Sequence, residues 1–273
     1  MAVFSFTGTP QVKMTTFNLS FLGDLSLTSA TAEELHWMSG GRASIHITGT
    51  DLEPVVAGDD LAELTGGTIT GFHSDIRNGG EHEHVDIYQL NIDAELFYDL
   101  IQARDGKGLL ALITSGNDEM HGTEGNDILN GGAGRDALLG MTGDDKLLGG
   151  DGGDRLDGGG GNDTLTGGKG ADQFIFTAPP GGSLDTITDF NVAQDSFQIW
   201  RQFFPHIGPR GDLTDGRFGL GTQATTEEQR VPYDAATGAL WFDRDGSGGH
   251  AAVQFAQLAA GLAITGGMFD LVN

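Results

Sequence analysis

The sequence predicts an all-β protein built around a central array of short strands, with a β-rich module on either side. Three observations lead to this expectation. A nine-residue pattern runs seven times without a gap from residue 113 to residue 175. Apolar and polar residues alternate in several flanking segments, which is typical of half-buried strands. Helical periodicity is confined to short segments. We therefore divide the chain into residues 1–112, 113–175 and 176–273.

The central array keeps two residue types at fixed places in every copy. The sixth place is always aspartate, and the eighth is always large and apolar. Two residue types kept in register over seven copies indicate one repeated structural unit. The aspartates are Asp118, Asp127, Asp136, Asp145, Asp154, Asp163 and Asp172, and the apolar residues are Met120, Leu129, Leu138, Leu147, Leu156, Leu165 and Phe174.

Each nonapeptide divides into a six-residue loop and a three-residue strand. Glycines at the first, second and fourth places permit positive φ and let neighbouring loops approach closely. Because strand side chains alternate, each repeat buries about one large apolar residue. That burial is too small to offset the ordering entropy of so much glycine, and stacked carboxylates repel each other. A hard cation supplies the missing stabilisation, since calcium takes about six to eight oxygen ligands.

The array resembles the glycine-rich nonapeptide repeats of the RTX (haemolysin-type calcium-binding) family, whose pattern is well established. The resemblance implies a parallel β-roll with two nonapeptides per coil and calcium ions between successive loops on the same side. Asp118, Asp136, Asp154 and Asp172 would then line one edge, and Asp127, Asp145 and Asp163 the other. Consecutive pairs give about five ions. The carbonyl groups that the resemblance adds as ligands belong to Gly132, Gly134, Gly150, Gly152, Gly159 and Gly161.

The alternative for this segment is a disordered glycine-rich linker, which such a composition often forms. A linker gives no reason for a large apolar residue at every ninth position, so we favour the folded array. Some copies depart from the glycine pattern. The first begins Ile113-Thr114-Ser115, the second has Thr123, and the fourth has Met141.

Composition restricts the partners and the compartment. The formal net charge is −25 and the pI is about 4.3, which argues against nucleic acid as a partner. There are no cysteines, so disulfides and thiolate metal sites are excluded. We find neither an N-terminal signal-peptide pattern nor an apolar run long enough to span a bilayer. By resemblance, we expect a secreted bacterial protein that leaves through a type I exporter, with a C-terminal signal ending in Met268–Asn273.

Residues 1–112 read as a β-sandwich-like module with a short helix. Alternation predicts strands near residues 4–21, 43–48, 64–72 and 85–92. The segment 93–104 is the best helix candidate, with Asp93 as its cap, and residues 31–38 could form one or two further turns. The module resembles the N-terminal modules of some alphaproteobacterial RTX proteins.

Residues 176–273 are expected to form a β cap. Segments 171–176, 185–191 and 195–200 resemble the region that closes the β-roll in RTX proteases and lipases, and 238–256 reads as a hairpin with an acidic turn. In that turn Asp243, Asp245 and Ser247 resemble the start of an EF-hand loop, but Gln254 stands where the bidentate acid would be. A glycine-rich turn is the favoured interpretation, with weak calcium binding as the alternative. The tail from Gln257 to Asn273 is apolar and is expected to be weakly helical at first.

The sequence favours a non-catalytic, extracellular calcium-binding protein with an N-terminal binding or adhesion module. His-Glu-x-x-His, Gly-x-Ser-x-Gly and Gly-x-x-x-x-Gly-Lys-Ser/Thr are all absent. A cell-surface polysaccharide or matrix is the expected ligand class. The alternative is a small secreted metal-dependent hydrolase around His82 and His84, which share a strand face with Asp86 and suit zinc or copper. A solvated loop is the simpler interpretation of that segment.

Overall fold

The structure is a computed structural model. It describes residues 114–122, 124–214 and 216–273 in full, and between residues 3 and 93 it describes the backbone of the strands. Those first strands are β1 (Val3–Thr7), β2 (Ser26–Ala30), β3 (Glu34–Ser39), β4 (Ala43–Thr50), β5 (Pro54–Ala57), β6 (Asp60–Leu64), β7 (Thr68–Asn78) and β8 (Glu81–Asp93).

Successive nonapeptides contribute strands to two different parallel sheets. One sheet receives β9 (Glu119–His121), β11 (Ala137–Leu139), β13 (Arg155–Asp157) and β15 (Gln173–Phe176), and the other receives β10 (Ile128–Ala133), β12 (Lys146–Asp151) and β14 (Thr164–Lys169). Neighbouring strands are eighteen residues apart in register: Leu138 lies opposite Leu156, and Leu147 opposite Leu165. Two nonapeptides therefore complete one coil, and the expected parallel β-roll is confirmed.

The interior of the roll is a column of the eighth-place side chains. All seven, from Met120 to Phe174, are buried. Their neighbours at the seventh and ninth places are at least partly exposed, as the period of two requires, except Ile175 at the end of the last repeat, which is buried. The strands of the second sheet run six residues rather than the expected three. They continue into the next repeat because glycines such as Gly132 and Gly150 pair directly across the sheet.

The region after the repeats continues both sheets. The strand β16 (Asp185–Ile187) pairs with β14, and β17 (Ser196–Trp200) pairs with β15, both in parallel. The second sheet then continues through β21 (Val253–Gln257), β20 (Ala239–Phe242), β19 (Val231–Asp234) and β18 (Phe218–Leu220). The expected hairpin is β20–β21, which is antiparallel. The cap prediction is confirmed for these segments.

The weak helicity expected at the start of the tail is wrong, because residues 258–265 form a turn and irregular backbone. A single 3₁₀ turn at Gly266–Met268 leads into β22 (Phe269–Val272), which pairs in parallel with β17. Phe269 and Leu271 are both buried, so the apolar residues have a period of two and favour a strand over a helix.

Aromatic side chains cover the C-terminal end of the roll. The rings of Phe190 and Phe197 stack with centroids 4.4 Å apart, and Phe197 stacks on Phe269 at 4.6 Å. Phe174, the last eighth-place residue, lies 5.8 Å from Phe190. Because aromatic side chains bury large areas, this cluster supplies the apolar burial that the small roll interior lacks.

The first strands form an antiparallel sheet in the order β2-β3-β4-β7-β8-β1, and β1 joins β9 in parallel. A separate hairpin consists of β5 and β6. The short helix considered for residues 31–38 is wrong from residue 34 onward, because β3 pairs with strands on both sides. The helix expected over residues 94–104 lies outside the described residues, and the sandwich arrangement stays a prediction. In the part of the chain that the structure describes, no helix has the length and apolarity to cross a membrane.

Candidate metal centre

The repeat aspartates form two ladders along the edges of the roll. Along one edge the Asp118 N–H donates to Asp136 Oδ1 at 2.8 Å, and Asp136 and Asp154 continue the series to Asp172. Along the other edge the series runs from Asp127 through Asp145 to Asp163. All seven aspartates are buried. The structure thus groups them as the resemblance implies, while their role as metal ligands stays a prediction.

Five of these carboxylates have one oxygen without a hydrogen-bond donor among the described residues. The backbone carbonyl of each aspartate accepts an N–H from the next coil, as Asp136 does from Arg155 at 2.8 Å, and Oδ1 accepts from the preceding coil. Within the described residues, the buried Oδ2 atoms of Asp136, Asp145, Asp154, Asp163 and Asp172 have no hydrogen-bond partner. A buried charged oxygen without a partner is strongly unfavourable, so these carboxylates require a positively charged ligand.

The first-place glycines leave open the space that these oxygens face. A Cβ on Gly131 would lie 2.5 Å from Asp136 Oδ2 and 2.6 Å from the Gly149 carbonyl oxygen. A Cβ on Gly140 would meet Asp145 Oδ2 at 2.3 Å and the Gly158 carbonyl oxygen at 2.5 Å. A carboxylate oxygen and a carbonyl oxygen of the next coil therefore share one small space. An oxygen-only donor set of this kind fits a hard cation such as calcium.

The predicted carbonyl ligands occupy the second and fourth places, where the glycines have positive φ. A Cβ on Gly150 would lie 2.0 Å from the Gly132 oxygen, and one on Gly152 would lie 1.3 Å from the Gly134 oxygen. Gly159 and Gly161 stack in the same way on the fourth repeat. The first-place glycines do not have the positive φ that was expected of them. Glycine is required there for another reason, because a Cβ would lie too close to the aspartate oxygen. In the fourth repeat Met141 takes the second place with φ of 81°.

Burial raises the pKa of the ladder carboxylates well above the ordinary aspartate value. It raises the pKa of Asp136 and Asp145 from 3.8 to about 7, and that of Asp154 to about 6. The negative charges of the neighbouring ladder aspartates raise these pKa values further, against the lowering effect of the backbone hydrogen bond. The ladder thus resists holding its full negative charge unless a cation compensates it.

Nothing in the described residues resembles a site for a transition metal. No group of three His, Cys, Asp or Glu side chains gathers there closely enough to hold an ion. Each step of a ladder instead offers carboxylate oxygens together with backbone carbonyls. That mixture is typical of calcium and unlike the imidazole-rich sites of zinc.

Sequence reasoning missed two aspartates that extend the ladders beyond the repeats. The Asp163 N–H donates to Asp185 Oδ1 at 3.2 Å, and the Asp172 N–H donates to Asp195 Oδ1 at 3.0 Å. The signal was present in the triplets Asp185-Thr186-Ile187 and Asp195-Ser196-Phe197, which repeat the sixth to eighth places of the nonapeptide. It was obscured because the spacing lengthens from 18 residues to 22 and 23.

The other candidate residues belong to elements outside the repeats. His82 and His84 belong to β8, where they lie opposite Arg77 and Asp75 of β7, and Asp86 lies opposite His73. Their side chains are outside the described residues, so a metal site there stays a prediction.

In the acidic turn, Asp245 Oδ2 accepts from His250 Nδ1 at 2.8 Å. The antiparallel pairing of β20 with β21 places this turn in the expected hairpin, while weak calcium binding by the turn stays a prediction.

Stacked glycine loops with paired carboxylates define a cation-binding β-roll. Residues 113–147 and 139–174 match the family profile described as RTX calcium-binding nonapeptide repeat (4 copies). Residues 113–174 are thus haemolysin-type RTX repeats, which bind calcium, and they make up less than a quarter of the chain.

One solved structure shows a partial likeness to this chain. The solution structure of the AlgE6R3 subunit from the Azotobacter vinelandii mannuronan C5-epimerase matches 57% of this chain and 78% of its own, at 24% identity and a TM-score of 0.24. A TM-score this low supports no inference about this chain. No match was found among the curated proteins.

Proposed function

We propose that this chain is an extracellular, non-catalytic calcium-binding protein whose roll folds when calcium binds after export. The observation that carries the proposal is the column of buried, unpartnered Oδ2 atoms along both edges. They recur every eighteen residues along each edge, and those of Asp136, Asp145 and Asp154 share a small space with a glycine carbonyl of the next coil.

The proposed ligands are the paired aspartates together with loop carbonyls. Consecutive pairs of the seven repeat aspartates give about five ions, three along one edge and two along the other. Calcium, when bound, would supply the positive charge that these buried carboxylates lack. The carbonyls of Gly132, Gly134, Gly150, Gly152, Gly159 and Gly161 are the further ligands that the resemblance implies, and those of Gly140, Gly149, Gly158 and Gly167 are added because they lie close to the aspartate oxygens.

The same residues make the roll sensitive to its compartment. Without cations the stacked carboxylates repel one another, and the apolar column buries about one large side chain per repeat. Where calcium is scarce, the array stays unfolded and can be threaded through a type I exporter. Outside, at the roughly millimolar concentrations to which extracellular calcium modules respond, ion binding becomes folding free energy.

Far-UV circular dichroism of the full chain tests this proposal. Adding calcium to the EGTA-treated protein is expected to increase the β signal and to raise the thermal midpoint. Magnesium at the same concentration is the control, since it is smaller and keeps its own waters. A spectrum and midpoint unaffected by EGTA would contradict the proposal.

For residues 1–112 we propose binding to a cell-surface polysaccharide or matrix. This proposal is supported by the absence of protease, lipase and NTPase motifs from the sequence. Calcium-loaded full-length protein should sediment with purified surface polysaccharide, and residues 1–112 added in excess should compete if they fold alone. Retention that depends on calcium but is insensitive to that competition would place binding elsewhere.

The hydrolase alternative predicts a second kind of metal. Metal analysis after calcium removal is expected to show no stoichiometric zinc or copper. One equivalent of zinc that disappears in His82→Ala, but persists in His250→Ala, would favour the alternative. His250 is a suitable control because it lies in the β20–β21 turn and contacts Asp245.

A further inference from the structure

The first residues after the repeats continue the architecture of the metal centre on one edge. Asp185 occupies the place of the next ladder aspartate and is buried. It accepts the Asp163 N–H at 3.2 Å, and the Thr186 N–H donates to the Asp163 carbonyl at 2.7 Å. Ile187 then pairs with Leu165, as each eighth-place residue does with the next. All three relations match those between successive coils within the repeats.

An unpartnered oxygen points to a ligand at this step. Asp163 is 1% exposed, and its Oδ2 has no hydrogen-bond partner within the described residues. This oxygen would lie 2.1 Å from a Cβ on Gly158, so it is directed as the Oδ2 atoms of the upstream coils are. In those coils the equivalent oxygen faces the downstream coil. The downstream coil of Asp163 is the one that carries Asp185.

Asp185 has two carboxylate neighbours, Asp163 and Asp157. In the described part of the chain, one backbone N–H, that of Asp163, donates to the Asp185 carboxylate. One donor is too few to compensate a buried carboxylate with two carboxylate neighbours.

On the opposite edge, backbone N–H groups donate to both oxygens of the next aspartate. Asp195 accepts the Asp172 N–H on Oδ1 and the Asn191 N–H on Oδ2, at 3.0 and 2.8 Å. Asp189 accepts the N–H groups of Gly167 and Gly168 at 2.9 and 2.8 Å. Both oxygens of Asp195 and of Asp189 therefore have a backbone donor. The Oδ2 atom of Asp172 is buried without a hydrogen-bond partner among the described residues, as that of Asp163 is. The two edges differ in the aspartate that follows, because the Asp195 carboxylate is compensated by two donors and the Asp185 carboxylate is not.

We propose that Asp163 and Asp185 hold a further divalent cation beyond the nonapeptides, whereas Asp195 closes the other edge without one. The inference rests on the proposed calcium function of the roll. It raises the expected number from five ions to six, and it places the additional ion between the last even-numbered repeat and the cap. The C-terminal cap would then be joined to the roll by coordination as well as by strand pairing.

Calcium stoichiometry of the full chain, measured by isothermal titration and by native mass spectrometry, tests this proposal. Asp185→Asn keeps an oxygen that can accept the Asp163 N–H but removes the charge, and Asp195→Asn is the matched control. We expect Asp185→Asn to bind one ion fewer than the wild type, with a lower midpoint in calcium and no loss of midpoint in EGTA. Asp195→Asn is expected to bind the wild-type number.

The outcomes separate this inference from the proposed function. An equal ion count in Asp185→Asn and the wild type, or one ion lost in both variants, would overturn the additional site while leaving the roll function intact. A wild type that binds no calcium would overturn the proposed function itself. If Asp185→Asn fails to reach the wild-type spectrum in calcium, the wild-type count decides: six ions support the site, and five overturn it.

Discussion

Two adjacent glycines of one loop provide a matched pair of substitutions. At Gly161, φ is +128°, and a Cβ would lie 1.9 Å from the Gly143 carbonyl oxygen of the preceding coil. At Gly160 a Cβ would have no atom within 4 Å. The positive φ costs an alanine about 1–2 kcal/mol, and the displacement of backbone that the contact forces costs roughly 1–3 kcal/mol more. We therefore expect Gly161→Ala to destabilise the calcium-loaded protein by about 2–5 kcal/mol, and Gly160→Ala by less than about 0.5 kcal/mol.

Thermal unfolding in saturating calcium, followed by circular dichroism, measures this difference. A destabilisation of 1 kcal/mol lowers the midpoint by about 2–4 °C in a chain of roughly this size, so the midpoint of Gly161→Ala should lie at least about 3 °C below that of Gly160→Ala. The same order should appear in chemical denaturation. Equal midpoints for the two variants would refute the close stacking of successive loops.

Three further predictions concern strain, burial and pH. Met141→Gly is expected to stabilise the roll by about 0.5–1 kcal/mol, because glycine adopts a φ of 81° without strain and the half-exposed methionine side chain contributes little burial. Met141→Ala keeps the strain and is the control, and equal thermal midpoints for the two variants would contradict this. Leu156→Ala should lower the unfolding free energy by about 2–5 kcal/mol and exposed Leu220→Ala by less than about 0.5, so similar losses would argue against the apolar column. Because the folded pKa values of Asp136 and Asp145 are raised from 3.8 to about 7, their stabilising protonation is complete below pH 3.8 and is lost as the pH rises through 7. Lowering the pH from 8 to 5 without calcium should thus shift the roll towards its folded state and increase the β signal, while calcium affinity falls. A calcium-free β signal that decreases over this range would be the opposite result.

Much of the roll was predictable because the repeat fixes both the period and the chemistry. Aspartate at every sixth place and an apolar residue at every eighth determine which atoms form the edge and which form the core. The ladder hydrogen bonds, such as that from Asp136 to Asp154, follow once two nonapeptides make a coil. The coil length itself came from the resemblance, because a nine-residue period is equally compatible with one repeat per turn.

What could not be predicted depends on contacts between segments of irregular spacing. Asp185 and Asp195 escaped notice because insertions of four and five residues break the period, although the register of β16 and β17 continues. The strand at the end of the tail was not predicted, because it forms through pairing of Phe269 with Phe197 across 72 residues, which no local pattern reveals. The role of the first-place glycines could not be predicted without knowing where the aspartate oxygen beside each of them lies.

The alternation of nonapeptides between two sheets gives the array a parity. Removing eighteen residues would shorten the roll by one turn and still deliver β16 to β14's sheet and β17 to β15's. Removing nine would exchange the destinations, so that Phe197 no longer continues the column that ends at Phe174. Insertions and deletions in this array are therefore tolerated in even numbers of repeats. The cap packs correctly only when each of its first two strands meets the sheet that it continues.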